Sequence, residues 1–210
     1  MAYTLNIDEL NTPSFNSEIY IVDYFKPMRI SKEDKEIRRQ AARDFRDYLF
    51  DLFLFLGLQS EFLSVNWAEI EDQMRIEFAR AANLYANNTP MLQAYIADKA
   101  SDFVRITREN MDKGEYWTSE ERATYEAVNE ANEVLGLQEF QTAIEQGKKY
   151  KVWHGMMDAK ERKSHVKMEG KKIPINDYFI MEHGILLYPG DYYNGEPEEV
   201  ANCRCSLTFV

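Results

Sequence analysis

The spacing of apolar positions divides the chain into a long helical stretch and a shorter β-prone one. Phe45, Leu49, Leu52, Phe53 and Leu56 recur at three- and four-residue steps, the interval that gathers side chains on one face of an α-helix. Ser31 precedes the run as a candidate N-cap, with Asp34 at the capping-box position, where a hydroxyl and a carboxylate can satisfy free amides of the first turn. This helix is expected to reach about Phe55 and to stop at Gly57. Trp67, Ile70, Met74, Ile76, Phe78, Ala81 and Leu84 carry the period on to about Tyr85, where Asn87-Asn88-Thr89-Pro90 breaks it. A further helix is expected from Pro90 to about Met111. A fourth begins at Thr118, whose hydroxyl stands before acidic residues suited to a first turn, with Val128, Ala131, Val134 and Leu135 on its apolar face. Residues 1–29 contain Pro13 and Pro27 and mix polar with aromatic residues, which predicts an extended, partner-seeking lead-in rather than a packed element. Amphipathic helices take most of their stability from packing, so residues 1–115 are expected to order against a partner.

After Gly147 the helical period gives way to short runs rich in β-branched and aromatic residues: 150–153, 172–175, 184–188 and 206–210. Gly170, Pro189-Gly190 and Gly195 punctuate them. No helix-length segment separates most of these strands, which excludes a wound parallel sheet. The expected fold class is α+β: a mainly helical arm over 1–115, then a unit over 116–210 made of a linking helix (118–147) and a core of short antiparallel strands (148–210). The chain has 45% hydrophobic and 29% charged residues, a balance that buries a core rather than staying disordered.

The most apolar stretch, Tyr48 to Leu58, is interrupted by Asp51 and has about half the ~20 residues that a membrane span needs. It reads as a buried helix or an oligomer contact, with no membrane partner. The N-terminus MAYTLNIDEL has no basic segment before an apolar one, so no secretory signal is read and an intracellular protein is expected.

A net charge of −11 argues against a general nucleic-acid binder, but the charge is uneven. Residues 1–147 hold 15 basic and 27 acidic side chains, whereas residues 148–172 hold 9 basic and 3 acidic. Lys148, Lys149, Lys151, Arg162, Lys163, Lys167, Lys171 and Lys172 form either a solvated basic face or a surface for phosphates or an acidic partner.

Six fragments follow one another in the β-prone part: Lys151-Val152-Trp153; Asp158 through Arg162 to His165; Glu169-Gly170; Asp177-Tyr178-Phe179; Leu187-Tyr188-Pro189-Gly190-Asp191; and Glu199-Val200-Ala201-Asn202-Cys203-Arg204-Cys205. In order and spacing they closely resemble the Mu F-like phage head morphogenesis family of minor head proteins. Its pattern runs W…D-x-R-x-R-x-x-H…G…F…Y-P-G-D…N-C-R-C. A weaker extension reaches back to Glu126 and Asn129. Lys160 stands where the family commonly has arginine, and Ala201 where a β-branched residue is common. The resemblance implies a structural role in the virion of a tailed phage or prophage. Such a protein is present in few copies per particle, assembles in the host cytoplasm near the portal, and assists DNA packaging or retention in the head interior. The implied partners are portal and capsid proteins and packaged double-stranded DNA, with no enzymatic step.

The motif residues also have a physical reading of their own. Asp158, Arg162 and His165 are spaced by four and three residues, so on a helix they would share a face and form a charge-assisted network. Asp191 follows a turn dipeptide, where a carboxylate can satisfy backbone amides. The only cysteines, Cys203 and Cys205, are too close in sequence to bridge each other readily in an extended segment. They would share one face of a strand and, with His165, could supply three ligands to zinc, the fourth coming from Asp191, His183 or His154. The other reading is two small thiols packed beneath the sheet. A Cys–His nucleophile would need an oxyanion site, and no glycine-rich or elbow motif offers one; no catalytic residue is assigned.

Overall fold

The helix from Glu120 to Glu145 is buried on nearly every side, and the rest of the molecule is arranged about it. A computed structural model describes residues 15–62 and 65–210, leaving aside the side chains of 57–64. The order is α1 (Ser17–Phe25), α2 (Lys32–Phe62), α3 (Trp67–Ala82), α4 (Pro90–Asn110), α5 (Glu120–Glu145), β1 (Tyr150–His154), α6 (Lys163–Val166), β2 (Lys172–Pro174), β3 (Phe179–Ile180), β4 (Ile185–Leu186), α7 (Pro197–Val200) and β5 (Ser206–Phe209). The fold is α+β, helices first and a small antiparallel sheet last.

α2 packs along α5 and buries Phe45, Leu49, Phe53 and Leu56 of the predicted stripe together with Ala41 and Ala42, while Leu52 is half-buried at its edge. Ser31 caps it: its Oγ accepts from the Asp34 amide at 3.0 Å and donates to the Asp34 carboxylate at 2.7 Å. The helix does not stop at Gly57 but continues to Phe62, since one glycine costs a helix only about 1 kcal/mol. α3 buries Ile70, Met74, Phe78, Ala81 and Ala82. Ile76 and Leu84 fall off this stripe and are exposed. Thr89 caps α4, with Pro90 in its first turn. The cap of α5 is Ser119 rather than Thr118, accepting from the Arg122 amide at 3.2 Å.

The lead-in differs from its expectation. Its first fourteen residues lie outside the described residues, but the remainder forms α1, capped by Asn16, with Ile21 and Phe25 fully buried against the main core. Pro27 comes only after the helix ends, so it does not prevent this one.

The sheet has the order β2-β1-β5, both pairings antiparallel, with Trp153 opposite Leu207 and Lys151 opposite Ile173. β3 and β4 form a separate two-stranded ribbon, of which β3 was not anticipated from the pattern.

The boundary expected at 115/116 does not divide the apolar core. One core runs from Ile21 through α2, α3, α4 and α5 to Tyr188, and a smaller one gathers Trp153, Met168, Phe179, Met181, Leu186, Cys203 and Cys205. Arg122 of α5 illustrates the continuity. Its guanidinium lies over the rings of Phe53, Phe103 and Trp117 at 5.1, 4.6 and 5.1 Å and donates to Thr107 Oγ1 at 2.9 Å and to the Trp117 carbonyl at 2.7 Å. The helices of residues 17–110 therefore share one apolar core with α5 of the same chain.

Candidate functional site

Trp153 on the central strand is fully buried and anchors the smaller core. Its ring meets His165 edge-on at 5.4 Å and Phe179 at 5.0 Å. Its carbonyl accepts from the Gly170 amide at 2.9 Å. Gly170 has φ +70, a left-handed conformation that favours glycine and turns the chain back into β2.

His165 sits on the single turn of α6 and is 1% exposed. Its Nδ1 faces two sulfurs, Cys205 Sγ at 3.4 Å and Cys203 Sγ at 3.6 Å. Its Nε2 lies 2.9 Å from Glu199 Oε2 on α7. Glu199 is itself held on both oxygens, accepting from Ser164 Oγ at 2.8 Å and from the His183 amide at 3.0 Å. Cys203 and Cys205 are 3% and 4% exposed and lie just before β5. The ligand atoms of His165, Cys203 and Cys205 all fall within 4.8 Å of one another. None of Asp191, His183 and His154 joins this group among the described residues.

The electrostatics follow from this crowding. Cys203 is held well below the ordinary thiol range, first by the hydrogen bond from Cys205 and then by His165. Cys205 is pushed up by the same hydrogen bond and by burial. Burial works against charging His165, but its hydrogen bond to Cys203 and the charge there leave it raised overall. Glu199, despite burial, is lowered by its Ser164, His183 and His165 partners. The two thiols are thus inequivalent, Cys203 held low and Cys205 high, in a cluster closed off from solvent.

The segment before Cys203 is tied to the helical core. Asn202 has φ +55, and its amide donates to Asn129 Oδ1 at 2.7 Å. The Cys203 carbonyl accepts from Asn132 Nδ2 at 2.8 Å and from the Tyr24 hydroxyl at 3.4 Å. Asn132 Oδ1 in turn accepts from Arg38 Nε at 3.1 Å, so α1, α2 and α5 all bear on the cysteine segment.

The network expected among Asp158, Arg162 and His165 does not form, because α6 begins only at Lys163 and Asp158 lies in the turn before it. Asp158 pairs instead with Arg204 at 3.0 Å, and Arg162 donates to the Ala201 carbonyl. The turn Tyr188-Pro189-Gly190-Asp191 behaves as its residues predict. The Asp191 carboxylate accepts from the Leu187 amide at 2.8 Å and from Asn194 Nδ2 at 2.9 Å, and burial raises its pKa nonetheless. Gly190 has φ +81, and a Cβ there would lie 3.0 Å from Glu133 Cγ. Tyr188 stacks on Phe140 at 5.5 Å.

Of the basic residues, Lys149, Lys163, Lys167, Lys171 and Lys172 are exposed, and Lys148 and Arg162 are half-buried. Lys151 must be removed from any phosphate-binding set. It is fully buried, donates to the Leu187 carbonyl at 2.6 Å and lies over the rings of Phe140 and Phe179. Burial pulls its pKa down to about 8.

Glu199, Ser164 and Asn132 complete the site and were not singled out from sequence. Glu199 stands inside the quoted 199–205 run, but a carboxylate on an unforeseen four-residue helix carries no periodic signal.

A family model described as Phage Mu protein F like protein matches residues 67–208, which includes α3 and α4 as well as the whole site. No curated protein and no solved structure matches the chain.

Proposed function

The chain belongs to the phage Mu protein F-like family, and from that premise we propose that it is a minor structural protein of a phage head, acting in head morphogenesis near the portal and in packaging or retention of DNA. The observation that carries this reading is the family match over 67–208. The molecule's surfaces support a docking role. Leu54 and Phe55 are exposed on α2, and Phe55 borders a groove of about 450 Å³ in which Tyr48, Leu52 and Met74 are rimmed by Asp51, Glu69, Glu77 and Arg80, where portal or capsid subunits would be received. Among the described residues no helix is long and apolar enough to cross a membrane. The reading assigns no catalytic step, and the burial of both thiols, which keeps a substrate from reaching them, supports that.

The test is quantitative mass spectrometry of purified particles from the phage or induced prophage that encodes the chain. A few copies per mature head, and heads that assemble defectively or lose DNA when the gene is deleted, are expected. Particles that lack the chain and form normally without it would overturn the reading.

A second reading, contact with phosphates, is favoured by the exposed Lys149, Lys163, Lys167, Lys171 and Lys172. Lys171 and Lys172 also border and occupy an edge strand, where lysines commonly block strand pairing. DNA binding that weakens steeply with salt and is lost on charge reversal of these five would favour the phosphate role. Indifference to both would leave only the edge-guarding one.

A further inference from the structure

His165, Cys203 and Cys205 are arranged as metal ligands are. A tetrahedral zinc with Zn–S of about 2.3 Å and Zn–N of about 2.0–2.1 Å holds sulfur and nitrogen about 3.6 Å apart. The observed separations from Nδ1 are 3.4 and 3.6 Å. One N–H points at one acceptor, yet this nitrogen stands equally close to two sulfurs. On the far side of the ring, Glu199 accepts from Nε2, which fixes the tautomer whose Nδ1 lone pair faces the cysteines. A carboxylate behind the imidazole is the usual support of a metal-bound histidine.

A candidate fourth donor lies in the loop before α6. Glu161 Oε1 lies 3.8 Å from Cys205 Sγ, while its Oε2 accepts from the Met157 amide at 2.6 Å. The loop is shaped around this carboxylate. Met157 takes φ +57, and a Cβ on Gly155 would fall 1.9 Å from Glu161 Oε1, so a side chain there would displace the carboxylate from this position. A carboxylate set beside the Cys205 sulfur is placed to meet a cation that the sulfurs and the imidazole would hold.

We propose that the chain binds one zinc ion in a structural site made by His165 Nδ1, the thiolates of Cys203 and Cys205, and the carboxylate of Glu161, with Glu199 positioning the imidazole. Two thiolates neutralise the ion in the buried part of the site, and Glu161 closes it from the half-buried rim by a small rotation. The ion joins the 155–161 loop, α6 and the segment leading into β5, which the smaller core alone holds with few apolar contacts. Small units of this kind commonly depend on a metal for stability.

The test uses the full-length protein, purified and kept under reducing conditions. Native mass spectrometry is expected to give one zinc per chain, removed by a strong chelator together with a fall in melting temperature. Cobalt added to the metal-free protein should give the intense visible absorption of a four-coordinate thiolate centre. Cys203→Ser should abolish that signal. Glu199→Gln should keep the stoichiometry and weaken zinc binding about 10–100-fold. Glu161→Gln should shift the cobalt spectrum; an unchanged spectrum would overturn its place as a ligand. A folded wild-type chain that carries no metal and takes up neither zinc nor cobalt would overturn the site altogether, and that result depends on no variant folding.

Discussion

The core around α5 and the core around Trp153 are built from different proportions of the same materials. In the first, five helices supply apolar faces from Ile21 to Ala143, and polar groups are exceptions. Lys99 is held by Glu130 and Glu133 at 2.9 and 3.2 Å, and the single Tyr95 hydroxyl is shared between Glu133 at 2.5 Å and Glu130. In the second, few apolar side chains pack on Trp153, and the segments around them are positioned by polar contacts: His165 with Glu199, Asp158 with Arg204, and Asn132 with the Cys203 carbonyl. A large apolar core tolerates an isolated polar group, whereas a small one relies on its polar contacts to fix a single arrangement.

The sharpest way to break this contrast is to remove the centre of the smaller core. Trp153→Ala should cost about 3–5 kcal/mol, and because few other residues share the load, the loss should be local. Hydrogen exchange is expected to quicken in β1, β2 and β5 while α3 and α4 remain protected. Equal quickening throughout would mean that both regions open as one unit.

The larger core has its own weak point in Glu133, whose carboxyl is raised to about 7 by burial, with help from the neighbouring Glu130 charge, against the lowering effect of Lys99 and Tyr95. A folded-state pKa above the unfolded value means that the folded form holds its proton more tightly. Stability from this group is therefore greatest at low pH and falls as pH rises from about 4.5 to about 7, by at most about 3 kcal/mol. Urea denaturation between pH 4.5 and 8 should show this decline, and Glu133→Gln should flatten it. A decline of the same size in the variant would assign it to another group.

Asn132→Ala addresses the join between the two regions. It removes the stronger donor to the Cys203 carbonyl and the acceptor of Arg38 Nε, and should cost roughly 1–3 kcal/mol. A cost near zero, measured by the same urea transition, would mean that the cysteine segment holds its place without α5.

What could be read from the chain follows the same division. The stripe of α2, the cap at Ser31, the break at Thr89-Pro90 and the turn at Asp191 depend on neighbours in sequence, and they stand in the structure where the pattern puts them. Four of the strands were legible because β-branched and aromatic runs lay between turn residues. The misses depend on distant partners. α1 is a helix because Ile21 and Phe25 meet the main core, and Lys151 is buried because Leu187, thirty-six residues on, supplies a carbonyl. The spacing of Asp158, Arg162 and His165 suggested a helical face, but a face needs a helix, and α6 is a single turn that starts after the first two. Arg204, which stands between the two cysteines and forty-six residues from Asp158, was the partner that spacing could not find.

That ion pair gives the smallest expected effect and the closest test of how the minor core is held. Asp158 is partly exposed, and its oxygens serve both Arg204 at 3.0 Å and the Lys160 amide at 2.9 Å. A partly solvated pair contributes about 0–1 kcal/mol, so a double-mutant cycle on Asp158→Ala and Arg204→Ala should give a coupling within that range. The single Asp158→Ala should cost slightly more than the coupling, because it also frees the Lys160 amide. A coupling well above 1 kcal/mol would mean that the pair, rather than the Trp153 packing and the His165 cluster, holds the 155–162 loop against the cysteine segment. The contrast between the two cores would then rest on a salt bridge, and its strength should fall as salt is added.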